Sequence, residues 1–282
     1  MPLDINTSPS PLSRPSRLHL AGVPIDPMTM RQSLDWIAAQ LRTPGQRPLL
    51  VMGPNAHIVT TAQHSPQLLS ALAAADLCVP DGVSILLAGR LLQHPLPERV
   101  PGGDLMEQLC ALAARENLSV FFLGGLPGAA EGAASAIKRR NPGLRIICHC
   151  PPYHFEQDPA ELETALDTIR DAAPDILCVA LGVPRQELWM HRHCATLPIR
   201  LAISVGAALD TQAGLRRRAP VWTHKLGLEW AYRLAREPRR LWRRYLIGNT
   251  HFLWLVLAEC RLQRFARSAP HPEPFPRSTP QK

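Results

Sequence analysis

The clearest signal for the fold is the sequence from Pro174 to His193, "PDILCVALGVPRQELWMHRH". It opens with a continuous apolar run, passes through a Gly-Val-Pro turn and continues with helical composition. An uninterrupted apolar run is typical of a parallel strand covered on both faces, and parallel strands are usually joined by helices. We therefore predict a strand over 176–181, a turn at the edge of a sheet, and a helix.

Three further stretches follow the same strand–turn–helix plan. They read "PLLVMGPNAHIVTTA" from Pro48, "LSVFFLGGLPGAAEGAASAIKRR" from Leu118 and "IRLAISVGAALD" from Ile199. Additional helices are predicted at 28–42, 104–116 and 159–172. This repetition predicts an α/β fold: a Rossmann-like, doubly wound, mainly parallel sheet with a basic helical appendage at its C-terminal end.

Composition divides the 282 residues into four parts. Residues 1–16 are rich in Pro and Ser and lack the apolar segment of a signal peptide, so they are predicted to be a disordered leader. Residues 17–215 form the Rossmann-like core, 216–267 the basic helical appendage, and 268–282 a disordered tail. No run approaches the ~20 apolar residues of a membrane-spanning helix. The absence of a signal-peptide segment and of a membrane-spanning run, together with the odd number of cysteines, predicts a cytoplasmic protein.

The net charge of +8 is concentrated in the appendage. Thirteen Lys or Arg residues lie between 216 and 267, with only three acidic residues among them. Such asymmetry indicates a polyanionic partner: phospholipid headgroups, a phosphorylated ligand or nucleic acid. Interleaved arginine and aromatic positions favour a helix lying on an anionic membrane surface. A solvated subdomain packed on the core is the plainer interpretation, and a nucleic-acid-binding tail is the alternative function.

One acid lies between apolar flanks in "LCVPDGVSILLAG", which runs from Leu77 to Gly89. An unpaired buried charge is costly, so the position of Asp81 calls for a reason. Asp81-Gly82 can be a simple turn, because both residue types tolerate turn conformations. Alternatively, a strand ends near Pro80 and the acid lies at its carboxyl end, where open α/β sheets bind ligands.

Other polar and glycine residues are candidates for a ligand site. Asn55, Gly124, Gly125, Gln186 and Asp210 are predicted at equivalent strand ends, whereas Arg99 and Asp104 lie in the Pro- and Gly-rich stretch "PERVPGGD". The glycine turn "FLGGLPG" opens a helix and is either a phosphate site or a tight turn. It is not the dinucleotide-binding motif, because GxGxxG is absent. Arg99 is either a diphosphate clamp or a solvated side chain. Gln186 and Glu187 fall in a first helical turn that we expect to face the mouth of the sheet, although Glu there is also ordinary capping chemistry.

Eight blocks of the sequence occur in a fixed order. They are "NAHIV", "PDGVS", "RVPGGDL", "FFLGG", "LGVPRQE", "GAALDTQAG", "RRAPVW" and "GLEWAYRLAREPRRLWRRYL". In this order, over roughly residues 20 to 260, the chain resembles the WecG/TagA/CpsF glycosyltransferase family of bacterial cell-surface polysaccharide synthesis.

The resemblance implies an inverting transfer of a sugar from a UDP donor to a polyprenyl-diphosphate-linked sugar, with no metal or other cofactor. The DxD metal motif of other glycosyltransferases is indeed lacking in the sequence. Asp81 matches the family's proposed general base, and Asn55, Arg99 and Gln186 match its substrate-binding positions. Many relatives have Thr where this chain has Gly53, so any hydroxyl contact there is lost.

The remaining predictions extend this assignment. We place Asp104, Gly124, Gly125 and Asp210 among the substrate-binding residues, together with the appendage arginines Arg218 and Arg233. The family's donors carry N-acetylmannosamine, its uronic acid or glucose, for exopolysaccharide, capsule or teichoic acid. The resemblance also implies a peripheral protein on the inner face of the plasma membrane that binds no nucleic acid. A homo-oligomer is left open.

Overall fold

A computed structural model describes residues 15–43, 45, 47–217, 220, 223, 229–236, 238–242 and 246–268. Of the predicted disordered segments, 1–14 and 269–282 therefore lie outside the described residues. Parts of the predicted appendage, including Arg218, lie outside them as well. The four domain boundaries remain predictions.

The described chain forms eight strands and twelve α-helices. The strands are β1 (Leu18–Leu20), β2 (Val23–Ile25), β3 (Leu49–Met52), β4 (Leu77–Cys78), β5 (Ser119–Gly124), β6 (Arg145–His149), β7 (Ile176–Ala180) and β8 (Leu201–Ser204). The helices are α1 (Met30–Arg42), α2 (Ala56–Ala62), α3 (Pro66–Ala74), α4 (Val83–Leu91), α5 (Gly102–Arg115), α6 (Ala129–Arg140), α7 (Pro159–Ala172), α8 (Arg185–His193), α9 (Ala208–Gln212), α10 (Glu229–Arg236), α11 (Pro238–Trp242) and α12 (Gly248–Ser268).

Six strands form one parallel sheet in the order β4-β3-β8-β7-β5-β6. Strand β5 leads to β6 on one side, whereas its neighbour β7 leads to β8 on the other. This reversal of winding between adjacent strands opens a crevice at their carboxyl ends, where open α/β sheets bind ligands. The predicted Rossmann-like α/β fold is confirmed.

Alternate residues of β5 supply two separate cores, one on each face of the sheet. Phe121 and Leu123 belong to the core beneath α2, α3, α7 and α8, and Val120 and Phe122 belong to the one beneath α1, α5 and α6. All four side chains are fully buried. Burial on both faces explains why β5 is apolar at successive positions rather than at alternate ones.

The hairpin of β1 and β2 was not predicted, and it covers the β4 edge of the sheet. The N–H of Asp26 donates to Cys78 O at 2.8 Å, and the N–H of Cys78 donates to Asp26 Oδ2 at 2.7 Å. The buried Asp26 carboxylate also accepts from Arg17 Nε at 2.9 Å. The hairpin therefore protects an exposed strand edge from pairing with another chain.

The last helix, α12, packs on α2 and α4 through one face only. Phe252 and Val256 are buried in the core, whereas Leu253, Trp254 and Leu257 are exposed. Within the described residues, no helix combines the length and the apolarity needed to cross a bilayer.

Candidate active site

A cleft of about 1780 Å³ opens at the carboxyl edge of the sheet. Its walls come from the loops that follow β3, β4, β5, β6, β7 and β8 and from the start of α5, which is where the crevice of a doubly wound sheet is expected. Eight of the residues selected from the sequence line it: Asn55, Asp81, Arg99, Asp104, Gly124, Gly125, Gln186 and Asp210. The structure thus brings together side chains that are up to 155 positions apart in the printed sequence.

Asp81 lies three residues after β4, on a segment that continues to run alongside β3 and the residues that follow it. Its N–H donates to Pro54 O at 3.0 Å, and the N–H of Val100 donates to Pro80 O at 2.8 Å. The chain turns into α4 at Gly82, whose φ of +128° suits glycine. The backbone around Asp81 is therefore fixed on both sides, and its half-buried side chain forms part of the cleft wall.

Gly53, at the end of β3, makes room for this carboxylate. A Cβ atom at this position would lie 3.3 Å from Asp81 Cβ and 3.6 Å from Asp81 Oδ2. A larger residue at position 53, such as threonine, would touch Asp81 directly. Because position 53 is glycine, the space next to the Asp81 side chain is left open.

Asn55 caps α2 and faces the cleft from the same edge. Its Oδ1 accepts hydrogen bonds from the N–H groups of His57 and Ile58, at 3.0 and 3.1 Å. Because the oxygen is used by this cap, the group that Asn55 can offer to a ligand is its NH₂ donor.

The glycine turn after β5 is held mainly by bonds within the protein. Gly124 and Gly125 have φ values of +88° and +89°. The N–H of Gly125 donates to Ala180 O at 3.0 Å, and that of Leu126 donates to Asp210 Oδ1 at 2.9 Å. These two donors are thus already occupied, and the turn contributes its shape and the N-terminus of α6 that follows it.

Asp210 is buried, and both of its carboxylate oxygens have partners. Oδ1 accepts from Leu126 N–H, and Oδ2 forms an ion pair with Arg216 Nε at 3.0 Å. Asp210 therefore joins the glycine turn to the chain that follows α9. This arrangement indicates that Asp210 positions the cleft wall.

Arg99 and Asp104 flank the Pro-Gly-Gly segment at the start of α5. A Cβ at Gly102 would lie 2.9 Å from Ser204 O, and one at Gly103 would lie 3.1 Å from Ala208 Cβ. Only glycine allows α5 to begin this close to the end of β8. Both Arg99 and Asp104 are half-buried in the cleft wall.

The two predicted appendage arginines are not both described. Arg218 lies outside the described residues, and for Arg233 the structure describes its place in α10 but not its side chain. Their substrate-binding role remains a prediction. Across the described ranges, no three His, Cys, Asp or Glu side chains come together in a group that could hold a metal ion.

Gln186 lines the cleft as expected, whereas the expectation that Glu187 faces the mouth is wrong. Glu187 is 0% exposed and lies behind Gln186, away from the cleft lining. Burial raises the pKa of Glu187 to about 7, against the opposing effect of the hydrogen bond from Gln186. Ser204, like Gln186, acts to lower this pKa. Within the described chain, however, Glu187 Oε2 has no hydrogen bond of regular geometry.

A group of side chains that the sequence patterns did not reveal joins the loop after β6 to the start of α8. Arg185 is paired with Glu156, and its guanidinium carbon lies 4.6 Å from the centre of the Tyr153 ring. Tyr153 is 81% exposed and, with Arg185, lines the cleft. The signal was "CPPYHF" directly after a strand, but strand β6 itself had not been recognised.

Comparison with known proteins identifies the class of this site. An N-acetylglucosaminyldiphosphoundecaprenol N-acetyl-beta-D-mannosaminyltransferase of Bacillus spizizenii is 32% identical over 196 residues, covering 70% of this chain and 74% of that protein. Proteins with the same name from Staphylococcus aureus strains MW2 and MRSA252 are 29% identical over 231 residues, covering 82% of this chain and 89% of theirs. The chain is therefore a glycosyltransferase.

The model of the "Glycosyl transferase WecG/TagA/CpsF family" matches residues 18–266. Because this match spans most of the sequence, the chain belongs to that family. The resemblance inferred from the eight sequence blocks is confirmed. The family also accounts for the α/β core, which a nucleic-acid-binding function would not.

Proposed function

We propose that this enzyme transfers an N-acetylmannosaminyl group from a UDP donor to N-acetylglucosamine on polyprenyl diphosphate, with inversion at the anomeric carbon. The acceptor and the transferred sugar follow the names of the relatives. The observation that carries the proposal is the convergence of Asp81, Asn55, Arg99 and Gln186 on one cleft at the switch point of the sheet.

In the proposed reaction, Asp81 acts as the general base. Its carboxylate accepts the proton of an acceptor hydroxyl while the hydroxyl oxygen forms a bond to C1 of the donor sugar. The bond from C1 to the phosphate oxygen breaks at the same time, and UDP leaves with the electron pair. One base is sufficient for such a single displacement, and a single displacement inverts C1.

The departing diphosphate needs positive potential around it. In our proposal this comes from Arg99 and from the N-terminus of α6, which carries the positive end of the helix dipole. The Tyr153 ring lines the cleft and is 81% exposed, so we propose that the side of the ring not covered by Arg185 stacks on the uracil base. We therefore expect Tyr153→Ala to weaken UDP binding measured by calorimetry, and equal affinity would remove Tyr153 from the site.

The decisive experiment replaces Asp81 with Asn. With UDP-N-acetylmannosamine and a polyprenyl-diphosphate N-acetylglucosamine acceptor, removal of the base should lower turnover by about 100-fold or more. UDP affinity should remain, because the substitution preserves shape. Asp171→Asn, on the exposed side of α7, is the matched control and should be fully active. Normal turnover by Asp81→Asn would exclude Asp81 as the base, and retention of configuration in the product NMR spectrum would exclude single displacement.

The acceptor also motivates a proposed peripheral contact with the anionic inner face of the plasma membrane. The exposed face of α12 presents Leu253, Trp254 and Leu257 in a part of the sequence rich in arginine. Apolar and cationic side chains together favour binding at an anionic lipid surface. Flotation with phosphatidylglycerol vesicles should recover the full-length protein, and Trp254→Glu should reduce recovery. Equal flotation of both proteins, or equal binding to neutral vesicles, would contradict this contact.

A further inference from the structure

The first turn of α8 holds two adjacent side chains with different surroundings. Gln186 is 4% exposed and forms part of the cleft wall, whereas Glu187 is fully enclosed behind it. Gln186 Nε2 donates to Glu187 Oε1 at 2.7 Å, and the N–H of Gly206 donates to Gln186 Oε1 at 3.1 Å. The carboxamide is therefore held at both ends, by α8 on one side and by the chain after β8 on the other.

These two bonds fix which end of the carboxamide is nitrogen. In the flipped orientation, Nε2 would oppose the N–H of Gly206, and Oε1 would oppose the carboxylate of Glu187. Two donors or two acceptors placed face to face leave buried polar groups unpaired, which disfavours the flipped orientation. Glu187 is the only one of these two anchors that a side-chain substitution can remove.

We infer that Glu187 is a positioning residue, which orients the Gln186 carboxamide so that its second Nε2–H group is presented to the substrate. One proton of Nε2 is used by Glu187, and no acceptor for the other is found within the described residues. Because Gln186 forms part of the cleft wall, a ligand bound in the cleft can supply the missing acceptor. This inference rests on the proposed function for the identity of that ligand.

The test compares three single variants and one double variant. Gln186→Ala removes the donor. Glu187→Met keeps the length of the side chain but removes the acceptor, and Glu187→Gln keeps an acceptor oxygen in nearly the same shape. For one hydrogen bond to substrate, kcat/KM should fall about 10-fold in Gln186→Ala and similarly in Glu187→Met.

The pattern among the variants separates positioning from a general structural role. The double variant Gln186→Ala/Glu187→Met should be no slower than Gln186→Ala, because Glu187 acts through Gln186. Glu187→Gln should remain within about 3-fold of the wild type. Glu163→Met, on the exposed face of α7, is the control for loss of a carboxylate and should be unchanged.

A spectroscopic signature makes the inference independent of turnover. In ¹⁵N-glutamine spectra, the Gln186 NH₂ resonances should show one proton shifted downfield by the carboxylate, and this shift should disappear in Glu187→Met. Wild-type kcat/KM in folded Glu187→Met, additive losses in the double variant, or an unshifted NH₂ pair in the wild type would each overturn the inference. If the wild-type enzyme transfers no sugar from UDP donors, the proposed function fails, and the NH₂ spectrum still decides the orientation of Gln186.

Discussion

The buried carboxyl group of Glu187 gives the enzyme a specific dependence of stability on pH. Burial raises its pKa from 4.5 to about 7 in the folded chain. Between these values the folded state keeps a proton that the unfolded state has released. Unfolding then releases a proton, so the free energy of unfolding falls as the pH rises through this window and levels off above it.

Glu187→Gln removes this dependence because glutamine does not titrate. One pKa unit corresponds to about 1.4 kcal/mol. The free energy of unfolding of the variant, relative to the wild type, should therefore rise by about 2 kcal/mol between pH 5 and pH 8. Taking the difference cancels the contributions of groups that both proteins share, such as the partly buried His149 and His193.

Urea denaturation of both proteins at pH 5 and pH 8 measures this difference directly. Asp171→Asn, at an exposed position, is the control for loss of a carboxylate and should show no comparable change. A difference for Glu187→Gln that stays constant with pH, or that decreases as the pH rises, would refute the conclusion that an ionisable carboxyl group is enclosed behind Gln186.

Three further predictions concern the N-terminal hairpin and the cleft. Arg17→Ala deprives the buried Asp26 of its cationic partner and should lower the free energy of unfolding, measured in urea, by about 3 kcal/mol. The kcat/KM of this variant should be unchanged, and an unaltered denaturation midpoint would contradict the prediction. Gly125→Ala places a Cβ 2.9 Å from Ala129 Cβ and should weaken UDP binding in calorimetry, whereas Gly143→Ala, with a similar φ of +85° and nothing within 4 Å, should not. Burial raises the pKa of both Cys150 and Cys178, but Cys150 is half-buried and lines the cleft, whereas Cys178 is fully buried. A thiol reagent should therefore modify Cys150 before Cys178, and UDP should slow the reaction of Cys150; mass spectrometry would contradict this if Cys178 reacted as fast.

Sequence patterns predicted the sheet because each strand carries its own local signal. The run at 176–181 and the helix at 159–172 agree with β7 and α7 to within one residue. The hairpin lacked such a signal, since its strands are three residues long and its turn is Ala21-Gly22 rather than Asn-Gly. Its stability depends on the distant pairing with β4, which no local pattern contains.

The candidate site divides in the same way. Residues such as Asp81 and Asn55 were found because they directly follow apolar strands, and the carboxyl ends of parallel strands share one edge of a sheet. The burial of Glu187 could not be found in this way, because Glu in a first helical turn is usually an exposed capping residue. It is enclosed because α8 packs against β3, β7 and β8, and β3 lies far from α8 in the sequence.

The internal bonds of the glycine turn have a consequence for ligand recognition. The turn is shaped by Ala180 and Asp210 before any ligand arrives, so binding there requires little loss of backbone freedom. The free and nucleotide-bound enzymes should then superimpose closely at this turn. An inhibitor that complements this preorganised surface would gain affinity from its fit, even without a phosphate group.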